Sequence, residues 1–255
     1  MRRSRRQCSG QVLVIAVLVV SLVLLSTQVY IFEVSKPLES SQLARANDFV
    51  LAIKLGSEHV VAGSLANVSI GGDYAVLSSN IGNWASFLAS LYQAGLPVLD
   101  FALADASPYV NGTRVSWDVD GFGITSAYVD FDFSLEGGEV NVQLPYTVNV
   151  STSLFVEGVY RRLVGDIMQV NVTCHLLGDE GPVLAENVTV FLEKSGVWLR
   201  ADERDGYRFA DYGNGTYLVV FEQDYLPSET VKVSAQVYDQ RLIYVQANAT
   251  CTEAA

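Results

Sequence analysis

The chain has 255 residues, half of them hydrophobic, with 16 basic and 28 acidic side chains and a formal net charge of -12. That length suits one large or two small domains, each able to bury a core. Beyond the first apolar segment, 12 basic residues stand against 28 acidic ones; such a surface repels polyanions and excludes nucleic acid as a partner.

Arg2, Arg3, Arg5 and Arg6 precede an uncharged apolar run from Gln11 to Phe32. These 22 residues extend roughly 33 Å as a helix, against a hydrocarbon core of about 30 Å. The arginines hold the N-terminus on the cytoplasmic side, and Tyr30 and Phe32 sit at the far interface. Residues 1–10 are read as a basic cytoplasmic leader and 11–32 as a single-pass transmembrane helix, with membrane lipid as its partner. The strict apolar run, Val12 to Leu25, also has the length of a cleaved signal peptide. However, the first small-x-small site, Ala44-Arg45-Ala46, lies far downstream. Either reading delivers residues 33–255 across the membrane.

The order of basic residues, Gly10-Gln11 and then a long apolar helix resembles the class III signal of type IV pilin-like proteins, archaeal ones especially. The resemblance implies cleavage between Gly10 and Gln11 by a prepilin peptidase, and packing of the apolar helices as a filament core. It is confined to the leader and the apolar helix. The fifth mature position, a glutamate in many pilins, is Ile15 here.

Residues 33–100 read as a helical stalk region. Ser40 and Ser41 can cap a helix, and Leu43, Ala46, Phe49, Val50, Ile53 and Val60 sit near helical spacing, interrupted by Gly56. Gly71-Gly72-Asp73 makes a turn. A second helix is expected from Trp84 to Gln93, ended by Gly95 and Pro97.

Beyond about residue 108 the period changes to two. Residues 101–158 read as an antiparallel β-meander, which with the stalk would form a pilin-like head. Within it every even position from Val140 to Val150 is apolar, so one face of the strand is buried and one is wet. Residues 159–255 carry seven short strand signals separated by turns, the pattern of an immunoglobulin-like (Ig-like) β-sandwich. The stretch Asp211-Tyr212-Gly213-Asn214-Gly215-Thr216-Tyr217 resembles the D-x-G-x-G-x-Y turn-and-strand motif of filamin-type Ig-like repeats. There the glycines permit positive φ and the tyrosine opens the next strand. The expected fold class is therefore α+β: a long N-terminal transmembrane and stalk helix, a β-meander, then an Ig-like sandwich.

The acceptor pattern Asn-x-Ser/Thr occurs at Asn67, Asn111, Asn149, Asn171, Asn187, Asn214 and Asn248. All seven lie beyond the membrane segment, where N-glycans are added. Asn149, Asn171 and Asn187 fall on the polar phase of their strands, and Asn248 alternates with Ala247 and Ala249, so their side chains are expected to face solvent.

Motifs of catalysis are missing: there is no P-loop, HExxH, G-x-S-x-G or CxxC. His59 falls in the stalk and His175 on the wet phase of a strand. No cofactor and no enzymatic activity are expected. Asp118 with Asp120, and Asp130 with Asp132, pair on strand faces and are weak calcium candidates through hard oxygen ligands. Trp84, Trp117 and Trp198 read as core or edge residues. Cys8 lies on the cytoplasmic side, which leaves Cys174 and Cys251 as the pair able to bridge; both fall on the apolar phase of their strands, and an oxidising compartment favours a disulfide.

The reading that joins these signals is a membrane-anchored extracellular structural or adhesive glycoprotein, a pilin-like component whose partners are other surface proteins or like subunits. The alternative is a ligand- or solute-binding ectodomain of a cell-surface receptor or transport complex.

Overall fold

The computed structural model describes residues 48–91, 96–117, 120–137, 140–224 and 230–254. The leader, Gly10, Gln11, the 11–32 segment, Cys8 and Asp118 lie outside the described residues. The chain divides into two compact units, Met1–Leu55 and Gly56–Ala255. The first contributes to the description only the opening of helix α1, Asp48–Ser69.

The described residues of the second unit hold the rest of α1, helix α2 (Ala75–Leu91) and twelve strands: β1 Leu96–Leu103, β2 Thr113–Trp117, β3 Phe122–Gly137, β4 Val140–Arg162, β5 Ile167–Leu177, β6 Ala185–Lys194, β7 Val197–Arg200, β8 Arg208–Asp211, β9 Thr216–Asp224, β10 Lys232–Asp239, β11 Tyr244–Thr250 and β12 Thr252–Glu253. They form an eight-stranded sheet, ordered β1-β3-β4-β5-β9-β8 with β2 also on β3 and β12 on β4, and a four-stranded sheet, ordered β11-β10-β6-β7. The expected α+β class with a long stalk helix is thus overturned. The described chain is mostly β, in two sheets, with two helices among the described residues.

The helices of this unit are not a stalk because their apolar faces are used locally. Val61, Leu65 and Val68 on α1, with Leu77, Ile81 and Leu88 on α2, are buried. The two form a hairpin. Gly71, at φ 98°, ends α1: its N–H bonds to the Val68 carbonyl and that of Gly72 to the Asn67 carbonyl, a Schellman stop that satisfies two orphan acceptors. The Asp73 carboxylate then accepts from the Ala75 N–H and opens α2. Gly56, read from sequence as a weak point of the helix, lets the Trp84 indole close against α1, where its Nε1 donates to Ser57 Oγ at 3.2 Å.

β4 explains the rest. Its even side chains face one way throughout: Val148, Val150, Thr152, Leu154 and Val156 are all buried. At its beginning this face meets the helices. Tyr146 stacks on Phe131 of β3 at 5.1 Å, and its hydroxyl shares a 2.9 Å hydrogen bond with Ser57 of α1. Further along, the same face meets the second sheet, and Leu154 and Val156 join Val172, Cys174, Val219 and Val233 in one core. One strand therefore serves both β-blocks, and position 158 lies inside it. Helices and small sheet share a layer, joined where Ser69 Oγ accepts from the Tyr244 N–H at 3.0 Å.

The glycine motif folds as its spacing demands. Gly213 and Gly215 take φ of 71° and 77°, and the Asp211 carboxylate accepts from the Gly213 N–H at 2.8 Å. Tyr217 is then carried inward, 2% exposed. Its hydroxyl is not orphaned, because it accepts from the Ala185 N–H at 2.6 Å.

Candidate functional site

The sequon asparagines lie on outward positions. Asn67, Asn111, Asn149, Asn187 and Asn214 are exposed, and Asn171 and Asn248 are half-buried. They are spread over both sheets: Asn149 and Asn171 stand on the open face of the large sheet, Asn187 and Asn248 on the outer face of the small one. Asn171 Oδ1 is buried without a hydrogen-bond partner.

Among the described carboxylates proposed for calcium, the pair Asp130 and Asp132 does not meet Asp120. Asp130 lies opposite Ala102 and Thr147, and Asp132 opposite Asp100 and Pro145. Asp120 precedes β3, and eight residues of extended strand separate Phe122 from Asp130, roughly 26 Å. Asp130 instead accepts from the Thr147 hydroxyl at 2.6 Å. No group of three or more metal-ligating side chains gathers among the described residues. His175 bonds Thr216 Oγ1 at 3.1 Å.

Cys174 and Cys251 are both in the sandwich core, and both are free thiols. Cys251 packs over Gly158, whose partner on β5 is Val172; Cys174 pairs one step further along, with Val156. Burial pushes both thiols up to about 12 from 9.0. We expect neither to react with iodoacetamide at pH 8 in the native protein and both to react once it is unfolded without reductant; a thiol blocked after unfolding would mean a bridge. The unfolded chain ionises these groups near 9 and the fold does not, so stability falls as pH rises from about 9 to 12. Denaturant titrations across that window check the sign.

A charged cluster locks the two sheets. Asp239, 1% exposed at the end of β10, accepts from the Thr152 hydroxyl at 2.7 Å and the Arg241 Nε at 3.0 Å. Its other oxygen takes the backbone N–H groups of Arg241 and Ile243. Arg241 continues to the Asp179 carboxylate at 2.6 Å and the Ser151 carbonyl at 2.8 Å. Every member is satisfied, which marks a structural clamp rather than a reactive centre.

An open cleft of about 180 Å³ lies at one end of the sandwich, lined by Ile167, Lys194, Glu203, Arg204, Asp205 and Glu222 among others. Sequence reasoning also missed an aromatic row. Trp117, 39% exposed, meets Tyr244 edge-on at 5.2 Å, and Tyr244 lies 5.1 Å from Tyr238. A polar ladder runs beside it: Gln246 Oε1 accepts from Tyr244 Oη and Gln236 Nε2, and Gln246 Nε2 donates to Asn248 Oδ1. The rings come from β2, β11 and β10, so no local sequence signal joins them.

α1 is long and apolar enough, by length and composition, to cross a membrane. From Gly56 on, its Ser57, Ser64 and Ser69 hydroxyls and its buried Val61 and Leu65 are built into the fold. No protein-family model matches the chain, and no curated protein matches its sequence.

Proposed function

We propose that this chain is a membrane-anchored extracellular glycoprotein of structural or adhesive type, pilin-like at its N-terminus and Ig-like in its sandwich, with its work done by contact rather than catalysis. The observation that carries this reading is the outward phase of the sequon asparagines on α1, both sheets and their turns, five of the seven exposed and two half-buried. Buried acceptors would have spoken against it. The Ig-like part rests on strand order: β4-β5-β9-β8 facing β11-β10-β6-β7 follows the A-B-E-D and G-F-C-C′ arrangement of that architecture. The anchor and its orientation rest on the arginine-led apolar segment 11–32. Partners are other surface proteins or like subunits. The charged cleft favours the second reading, a solute-binding ectodomain. Fractionation of native cells checks the first: the protein should sediment with membranes and resist a salt wash. Recovery in the soluble cytosol would overturn it.

A further inference from the structure

Asn187 differs from the other sequon residues in what stands beside it. It opens the outward phase of β6 and is exposed, and its register partner on β10 is Tyr238. Directly opposed side chains on one sheet face are neighbours, with Cβ atoms about 5 Å apart. Tyr238 in turn lies opposite Tyr244 on β11, and Tyr244 meets Trp117. Asn187 thus heads a row of three rings, Tyr238 and Tyr244 on successive strands of the small sheet and Trp117 on β2 of the large one. The sequon hydroxyl, Thr189, sits on the same face beside Gln236.

We infer that Asn187 carries an N-linked saccharide whose first sugars lie along Tyr238 and Tyr244. This rests on the extracellular glycoprotein reading and assigns one of its sites a structural role. The chemistry is transfer from an activated glycosyl phosphate donor by a membrane-bound transferase. The amide Nδ2 of Asn187 bonds to the anomeric C1, the C1–O bond to phosphate breaks, the phosphate leaves with the electron pair, and one amide proton passes to base. The attached sugar then has an aromatic face within one strand spacing. An aromatic face is electron-rich and attracts the C–H edge of a pyranose, as it attracts other positive edges. The Gln236 side-chain carbonyl is not used by the polar ladder beside the rings and can accept from a sugar hydroxyl. Asn248, on the same face, is half-buried and has its Oδ1 held by Gln246, so Asn187 is the open acceptor of the two.

The test uses the full chain, purified in detergent from a host that glycosylates it, with glycopeptide mapping of every sequon and thermal unfolding of five proteins: wild type, N187Q, Y238A, Y238F and the N187Q/Y238A double variant. Asn187 should be occupied. N187Q should lower the midpoint by about 2–4 °C in the wild-type background and leave it unchanged in Y238A. Y238F keeps the ring and should behave as wild type. Asn187 found bare while other sequons are occupied overturns the inference alone. So does an equal shift from N187Q in both backgrounds. Seven bare sequons overturn the glycoprotein reading as well.

Discussion

A Gly123→Ala chain should unfold roughly 6–12 °C below wild type, the equivalent of at least about 3 kcal/mol. Gly123 opens β3 where that strand passes the edge of β11, and an added Cβ would overlap the Gln246 carbonyl oxygen. The obstacle is backbone, which cannot swing away as the end of a flexible side chain can. The close approach matters because β11 is the edge of the small sheet. Its outward groups are covered there: the Tyr244 carbonyl accepts from the Thr125 hydroxyl at 2.8 Å and the Asn248 carbonyl from the Gly121 N–H at 2.7 Å. Pushing β3 away removes these bonds and leaves an unpaired edge, which is a site for aggregation. Gly63→Ala is the internal control. It lies in the interior of α1 with nothing near its Cβ position, so alanine should raise stability slightly, by about 0.5–1 kcal/mol. Calorimetry of the two variants checks both signs.

Arg241→Met should cost about 2–4 kcal/mol. The substitution keeps most of the apolar volume and removes the cation between two carboxylates. Asp239, 1% exposed, would keep its backbone and Thr152 hydrogen bonds but lose its counter-charge; breaking a buried pair is usually worth about 3–5 kcal/mol, and the side chain of Arg241, 32% exposed, lowers the figure here. Adding Asp239→Asn should recover part of the loss, since no buried charge is then left alone. Urea titrations of the single and double variants decide it. If the second substitution made matters worse by its full single-variant cost, the pair would be uncoupled and the clamp account wrong.

Alternation was a reliable guide to strand phase here, because each strand buries one face. Asn149, Asn171 and Asn187 could therefore be placed outward from sequence, and Met168 to Leu176 inward on alternate positions. What periodicity lacks is the identity of the partner. The apolar spacing along α1 says that one face is buried; it does not say that the cover comes from α2, through Trp84, and from Tyr146 of β4, and this is why a stalk was expected. Nor does it carry register. Asp130 and Asp132 share a face, but only the pairing of β3 with β1 and β4 puts Thr147, Asp100 and Pro145 across from them. The same holds for Cys251, whose inward phase was legible and whose seat over Gly158 was not. The aromatic row joins Trp117 to a distant hairpin and the Arg241 clamp joins three separate segments, and no window of sequence contains either.

Protease treatment of intact native cells decides whether the sandwich stands outside the cell. An added protease should release or degrade fragments from residues 56–255 without lysis, and peptides from the basic leader should be protected until the membrane is opened. Full protection of the sandwich peptides on intact cells, with cleavage only after lysis, would contradict it.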